Sequence, residues 1–351
     1  MAVTLKDVAE AADVSMSTAS RALGGSPLIS AETRALVDAA AERLGYRPNR
    51  AASALRSKRS HLIGLVLNNL VNASFHTIAE VVQRRLALDG YQLILGTTDA
   101  DPAAEKRLLE TLGDHGVDGV ILIGTGQNAA VTNRFLADGM AVVNLIRSSR
   151  DSAAPTVLAG DRDGAYDATD YLVAQGHTAI GYIGGPDTAD SGRDRYSGYV
   201  SALERAGLDV DPDLVIKGPF TQEFGAEAIT TLLDRAPHMT ALFAANHESV
   251  FGVIPGLAAR GIRIPDDLSL LCYEDIPWLE MWRPAITVVD NGARQLAELA
   301  VDLLLQQISA TQNAGSPASP PERLNRTYRV GAQLVHRDSV IPLDPSLKVL
   351  T

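Results

Sequence analysis

The chain has 351 residues, of which 46% are hydrophobic and 21% charged, a composition typical of a folded globular protein. Its length exceeds the needs of one small core, so we expect two or three domains. The net charge of −11 argues against nucleic-acid binding over the whole surface, and the single cysteine, Cys272, excludes an intramolecular disulfide.

The charge is unevenly distributed along the chain. Residues 1–60 contain nine Lys/Arg and six Asp/Glu, whereas the remainder contains 22 and 36, and residues 43–60 carry six basic side chains and no acidic one. Positive potential is therefore confined to the N-terminal sixth, where contact with phosphates is expected. No apolar run approaches 18 residues and no secretory signal precedes the basic segment, so we predict a cytoplasmic protein that joins the nucleoid when bound to DNA.

The opening stretch VTLKDVAEAADVSMSTASRAL predicts two short helices separated by a tight turn. Leu5, Val8 and Ala9 have the spacing of one buried helical stripe, and Ser15 is a suitable N-cap for the second helix. Asp13 occupies the turn, where a left-handed residue is often needed and Asp tolerates it better than most. A third helix is predicted between Ser30 and the glycine at 45, which completes a helix-turn-helix.

The exposed face of the second helix is the candidate DNA-contacting surface. Small hydroxyls donate to phosphates, and Arg21 is long enough to reach a base edge, most often guanine. The alternative is an ordinary helical hairpin with a polar face. The candidates on this face are Ser15, Met16, Ser17, Thr18, Ser20 and Arg21.

The segment YRPNRAASALRSKRS, residues 46–60, predicts about two helical turns after Pro48. A helix this short is unstable alone in water, and the alternative is a basic, flexible linker. A segment that is a linker in solution and a helix on DNA would satisfy both interpretations. Asn49 and Arg50 are its candidate DNA contacts, and Leu55 is a candidate wedge between base pairs in the minor groove.

From Leu62 onward, short apolar runs alternate with helical patterns. The predicted strands form two series: 62–67, 91–97, 119–124 and 141–146, then 179–185, 214–218, 241–246 and 268–273. Such alternation predicts parallel sheets covered on both faces, here twice, with a ligand cleft at the carboxyl ends of the strands. Residues 312–323 are rich in Pro and Ser and read as an exposed loop, and residues 329–340 are a candidate last strand.

The stretches TLKDVAEAADVSMSTASRAL and ISAETRALVDAAAERLGYRPNRAASALRSKRSHLIGLV together strongly resemble the lactose-repressor family of bacterial transcription regulators. The resemblance implies a helix-turn-helix domain (1–46), a hinge helix and linker (47–60) and a two-lobed core of the periplasmic-binding-protein type (61–340). Lobe 1 would comprise about 61–160 and 291–325, and lobe 2 about 161–290 and 326–340. The fold class is thus an all-α head plus an α/β core of two doubly wound parallel-sheet lobes, forming a homodimer.

Polar and aromatic side chains after the predicted strands are the candidate effector contacts, because amides and carboxylates grip hydroxyls and aromatic rings cover sugar faces. The resemblance adds Ser191 to these candidates and matches Arg195, Phe220 and Asn246 to effector-contact positions of the family. Glu274 replaces the aspartate that commonly holds ligand hydroxyls, His247 replaces another aspartate, and Ile146 replaces a frequent polar residue. The candidates are Asn69, Asn72, Ser74, Phe75, Thr125, Ser191, Arg195, Phe220, Asn246 and Glu274, with Gln127 and Asp275 nearby.

Structural roles compete with several of these assignments. Arg195 could form a surface ion pair with Asp194 or Glu204, Phe220 could belong to the core of lobe 2, and Asn246 could be a helix N-cap. Asn69, Asn72 and Ser74 could serve turn chemistry. His177 is expected to be structural.

The sequence favours an effector-responsive transcription regulator, most simply a repressor, whose partners are double-stranded operator DNA and a sugar-like molecule. A purine or a phosphorylated sugar steered by Arg195 stays open as the effector. The alternative is a sugar-binding or carbohydrate-processing protein without a DNA role. An enzyme is disfavoured because no nucleophile–base pair is evident, and an exported transport protein because residues 1–60 are basic. We expect no cofactor and no metal, since the histidines lack ligand spacing.

Overall fold

A computed structural model of the chain describes residues 3–24, 26, 28–46, 59–149, 151–313 and 326–343. The chain divides into two compact units, Met1–Ser60, here called the head, and His61–Thr351, here called the core. The predicted hinge-helix residues Asn49, Arg50 and Leu55 lie outside the described residues.

The described residues of the head form three helices, α1 (Leu5–Ala11), α2 (Met16–Leu23) and α3 (Ala31–Leu44). Each begins at a hydroxyl residue whose side chain accepts a hydrogen bond from a backbone N–H of the first turn: Thr4, Ser15 and Ser30. Asp13 has φ 52°, so the turn between α1 and α2 is left-handed as predicted. The helices bury one small apolar core: Val8, Ala9, Ala19, Ala22, Val37, Ala40 and Ala41.

Within the part of the core that the structure describes, the strands form two six-stranded sheets, which confirms the predicted α/β fold class. The first has the order β11-β5-β4-β3-β1-β2 and is parallel throughout. The second has the order β12-β10-β9-β8-β6-β7, and β12 is its antiparallel edge strand. The strands are β1 (Leu62–Leu67), β2 (Gln92–Thr97), β3 (Gly119–Leu122), β4 (Ala141–Leu145), β5 (Thr156–Ala159), β6 (Ile180–Gly184), β7 (Val215–Lys217), β8 (Ala241–Ala244), β9 (Ser269–Tyr273), β10 (Thr287–Asp290), β11 (Thr327–Val330) and β12 (Gln333–Val335).

Helices cover both faces of each sheet, because the central strands are apolar on both sides. In lobe 1, α4 and α12 pack on one face and α5 and α6 on the other; in lobe 2, α7 and α8 pack on one face and α9 and α10 on the other. The helices are α4 (Ala73–Leu88), α5 (Pro102–Asp114), α6 (Ala129–Ala137), α7 (Asp161–Ala174), α8 (Asp190–Arg205), α9 (Gln222–Arg235), α10 (His247–Ala259), α11 (Pro277–Met281) and α12 (Ala293–Asn313).

The chain passes between the lobes three times in the described residues: after β5, after β10 and after β11. The last passage corrects one predicted boundary. The sequence analysis placed residues 326–340 in lobe 2, but β11 pairs with β5 in the first sheet, and only β12 joins the second. Only Gly331 and Ala332 lie between these strands, so one short segment contributes a strand to each sheet. No described helix is long and apolar enough to cross a bilayer.

Candidate functional site

The first candidate site is the exposed side of α2 in the head. Ala19 and Ala22 face the head core, which leaves Met16, Ser17 and Arg21 exposed, with Thr18 and Ser20 partly so. The helix thus presents the six predicted residues on the sides that its apolar stripe does not use.

Hydroxyl groups at the start of α2 form a cluster. The Ser15 Oγ accepts from the Thr18 N–H at 3.1 Å and lies 2.8 Å from the Ser17 Oγ and 2.9 Å from the Thr18 Oγ1. Free backbone N–H groups and the positive helix end lie beside these hydroxyls. Such an arrangement suits an anionic oxygen, so it fits a phosphate of a nucleic-acid backbone.

The second candidate site lies in the core, where the carboxyl-terminal edges of the two sheets meet. The Asn72 Nδ2 after β1 donates to the Glu248 Oε1 after β8 at 2.8 Å. Farther along, the backbone N–H and the Oγ of Ser148, after β4, both donate to the Asp190 Oδ2 at 2.7 Å. These bonds place the strand ends of both lobes around one cleft, as the doubly wound fold predicts.

Arg195, on α8, forms the centre of the lobe 2 side. It is 4% exposed, and its Nε donates to the Asp161 Oδ1 at 2.8 Å while its Nη2 donates to the Glu274 Oε1 at 3.1 Å. Its Nη1 donates to the Ala245 carbonyl, and the guanidinium lies 3.9 Å from the centroid of the Tyr273 ring. Arg195 is therefore fully engaged inside lobe 2, and the surface pairing with Asp194 or Glu204 is wrong.

Glu274 connects Arg195 to His247 directly after β9. Its φ of 78° is rare for a residue with a side chain, and such strain is often found at functional sites. The His247 Nδ1 hydrogen-bonds the second carboxylate oxygen, and the His247 Nε2 accepts from the Ala73 N–H of lobe 1 at 3.4 Å. Burial alone would raise the pKa of Glu274, but Arg195 and His247 outweigh it and lower this pKa to about 2. The carboxylate is therefore ionised and buried.

The other predicted residues of lobe 2 lie around this network. Asn246 is 2% exposed and caps α10, because its Oδ1 accepts from the Ser249 N–H at 2.8 Å. Phe220 is half-buried with the tip of its ring beside Gly185, directly after β6, where a Cβ would overlap the Phe220 Cζ. Ser191 is partly buried in the first turn of α8. Asn246 is therefore the N-cap of α10. Because it lies at the edge of the sheet, this role is compatible with contact to a ligand.

The predicted residues of lobe 1 divide between edge and core. Asn72 caps α4 through its Oδ1, which accepts from the Ser74 N–H at 2.9 Å, while its Nδ2 reaches lobe 2. The Asn69 Oδ1 accepts from two backbone N–H groups of the same turn. Phe75 is 8% exposed and packs in the apolar core of lobe 1. Its neighbour Ser74 is also buried.

Thr125 follows β3 and is held by a carboxylate from α5. The Glu105 Oε2 accepts from the Thr125 N–H at 2.5 Å, and the Glu105 Oε1 accepts from the Asn128 Nδ2 at 2.8 Å. Glu105 is fully buried, and these two hydrogen bonds satisfy both of its oxygens within the protein. The Gln127 N–H donates to the Thr125 Oγ1 at 3.3 Å, which closes the loop.

The sequence analysis missed Arg147, which lies two residues after β4. It lines a small pocket that opens to solvent at the carboxyl edge of lobe 1. With the Asn68 amide turned so that its Nδ2 donates to the Ile123 carbonyl, its oxygen accepts from both terminal nitrogens of Arg147 at 3.0 and 3.2 Å. A position after a strand end was the signal that could have identified this residue.

Three other polar residues have structural roles. His177 is buried between the Thr240 Oγ1 and the Ile341 carbonyl, which confirms its structural assignment. Asp275 forms a two-pronged ion pair with Arg337, so it is held away from the network. Cys272 is fully buried in β9, and burial raises its thiol pKa well above the usual range, which makes it unsuited to nucleophilic chemistry.

Comparison with known proteins agrees with both units. The model of the lacI family of bacterial regulatory proteins matches residues 4–49, and that of a periplasmic binding protein-like domain matches residues 169–340. The HTH-type transcriptional repressor PurR of Haemophilus influenzae is 30% identical over 308 residues, which cover 87% of this chain and 91% of that protein.

Two solved structures extend the likeness to three dimensions. A lac repressor dimer bound to operator and the anti-inducer ONPF has a TM-score of 0.82 and 25% identity, covering 97% of this chain and 100% of that chain. A complex of the transcriptional regulator CelR with cellobiose has a TM-score of 0.71 and 28% identity, covering 96% and 100%. The chain therefore belongs to the lacI family of bacterial regulatory proteins and is a DNA-binding transcription regulator.

Proposed function

We propose that the protein is a repressor that binds an operator as a homodimer and is controlled by a sugar-like effector held between the lobes of its core. The observation that carries the proposal is the polar, exposed face of α2 on a head built around a separate apolar core. The lac repressor dimer on its operator and the CelR–cellobiose complex support the dimer, the operator and the effector class by similarity. The proposed site of action is the cytoplasm, on the nucleoid.

Each head would place α2 in the major groove of one half-site. Arg21 reads a base edge, while the hydroxyls at the start of α2 hold phosphates and fix the register. The proposed contacts are Ser15, Met16, Ser17, Thr18, Ser20 and Arg21, and Asn49, Arg50 and Leu55 stay as predictions from the sequence.

The effector would bind between the facing sheet edges, which carry Asn72 in lobe 1 and Phe220 and Asn246 in lobe 2. Cross-lobe hydrogen bonds at Asn72 and Ser148 join the two lobes in this arrangement. A ligand that binds one arrangement of the lobes more tightly than another would shift the population toward it. Operator affinity then changes by the ratio of effector affinities for the two arrangements.

The test begins by selecting duplexes from a random pool with the full-length protein and measuring Kd for the selected and scrambled sequences at several salt concentrations. We expect Arg21→Ala to reduce the preference for the selected sequence at least tenfold and to retain weak, salt-sensitive binding. Arg205→Ala removes one exposed charge from the core and serves as the control. An Arg21→Ala protein with unchanged preference would contradict the assignment of α2, and failure to enrich any sequence would contradict DNA-binding regulation itself.

A further inference from the structure

Arg147 is a cation at the edge of lobe 1 without a matching anion. Among the residues that the structure describes, no carboxylate oxygen lies within 4.0 Å of its guanidinium nitrogens. Its hydrogen-bond acceptor is the neutral amide of Asn68, itself 3% exposed. A partly buried charge without an ion-pair partner is costly, so an anionic ligand would lower the free energy of this site.

The two carboxylates that act on Arg147 through space already accept hydrogen bonds from other groups. Glu105 accepts from the Thr125 N–H and from Asn128, and Asp190 accepts from Ser148 and from Arg193. Both act on Arg147 through space and raise its pKa, whereas the larger effect, burial, lowers it. The guanidinium stays charged in spite of this burial, because arginine does not lose its proton in proteins.

The pocket beside Arg147 is lined by groups that bind hydroxyls. Asn128, Thr132, Asn144 and Ser149 contribute amides and hydroxyls to its wall. The wall also contains the Glu105 carboxylate, whose two oxygens already accept hydrogen bonds from the Thr125 N–H and the Asn128 Nδ2. Ile146, just before Arg147, has φ 67°, which is an outlier for a β-branched residue. This strained turn directly follows β4 and sets the position of the arginine, and strained backbone of this kind clusters at ligand sites.

Arg195 cannot serve the same purpose. Asp161 and Glu274 already neutralise it at 2.8 and 3.1 Å, so an anion placed there would face two carboxylates. A phosphorylated ligand was expected to pair with Arg195. The cation that is available to such a ligand is instead Arg147 in lobe 1.

We propose that the effector is a hydroxylated molecule carrying one anionic group, a phosphate ester or a carboxylate, and that Arg147 binds this group from lobe 1. The proposal rests on the proposed function, since it names the class of molecule that the same cleft takes. A guanidinium pairs with either anion through two parallel hydrogen bonds, and its Asn68 contact fixes the plane of the fork.

The experiment is calorimetric titration of the full-length protein with matched probes: ribose against ribose 5-phosphate, glucose against glucose 6-phosphate, and glucose against glucuronate. We expect the anionic member of at least one pair to bind tenfold or more tightly than its neutral partner. The phosphate and carboxylate arms distinguish the two anions. Arg147→Gln should abolish the preference with less than a twofold change for the neutral member, and Arg147→Lys should retain part of it.

Arg134→Gln is the matched control, because it removes an exposed arginine of α6 in the same lobe. Equal affinity for neutral and anionic members, no binding of any anionic probe, or a preference that survives Arg147→Gln would each overturn the proposal. Sequence-selective DNA binding, measured on the same preparations, separates these outcomes from a failure of the proposed function.

Discussion

The carboxyl edges of the two lobes present arginine side chains in opposite electrostatic settings. In lobe 2, Arg195 is 4% exposed and held by Asp161, Glu274 and the Ala245 carbonyl. In lobe 1, Arg147 contacts a neutral amide beside an open pocket. The same side chain thus serves as internal structure in one lobe and as an available charge in the other, and its neighbours decide which.

The difference assigns distinct tasks to the lobes. In lobe 2 the arginine is already paired with two carboxylates before any ligand binds, so removing it should lower the stability of this lobe. Lobe 1 keeps an arginine that no described carboxylate pairs with, so we expect its edge to select the charge of the ligand. Removing each arginine in turn tests this contrast directly.

The largest effect is expected for Arg195→Met. This change leaves the Asp161 and Glu274 carboxylates buried without their cation, which should lower the free energy of unfolding of lobe 2 by about 3–5 kcal/mol. Both tryptophans, Trp278 and Trp282, lie in lobe 2, so tryptophan fluorescence during urea unfolding reports on this lobe. Arg205→Met, an exposed position on the same helix, should cost no more than about 1 kcal/mol. Equal costs for the two variants would contradict the buried network.

The sequence predicted where this network lies better than it predicted which residues form it. Strand-end placement identified Arg195, Asn246 and Glu274, because carboxyl ends of parallel strands converge on one edge. Asp161 was missed because the strand before it, β5, has four residues and too little pattern to recognise. The ion pairs of Arg195 could not be predicted either, because its partners Asp161 and Glu274 are 34 and 79 residues away in the chain.

Lobe 1 shows what placement after a strand end does not reveal. Phe75 follows a strand end, which suggested the cleft, yet it shares the helical stripe of Ile78 and Val82 and is buried with them. Helical periodicity therefore overrode proximity to the edge. Arg147 was overlooked because the residue before it, Ile146, read as a continuation of β4, whereas its positive φ ends the strand and redirects the chain.

A second test uses the pH dependence of lobe 2. The folded protein holds the pKa of Glu274 at about 2, against 4.5 for an unperturbed glutamate, so this group stabilises the fold fully above about pH 5. As the pH falls toward 2, the unfolded state takes up the proton first and the contribution is lost. Between pH 6 and pH 3 the wild type should lose about 2 kcal/mol more than Glu274→Gln. Urea unfolding followed by tryptophan fluorescence at each pH measures the free energy of unfolding of both proteins. The same pH dependence in wild type and variant would show that Glu274 is not held ionised.

The smallest effect is expected for Arg147→Met in lobe 1. The change removes an unmatched charge, which favours folding, and leaves the buried Asn68 oxygen without its donors, which opposes folding by about 1–3 kcal/mol. The two terms largely cancel, so we expect the stability of lobe 1 to change by less than about 1 kcal/mol. Hydrogen exchange of the β1 and β4 amides reports on lobe 1, where the tryptophans do not. A loss as large as that of Arg195→Met would mean that Arg147 is structural, and the contrast between the lobes would then disappear.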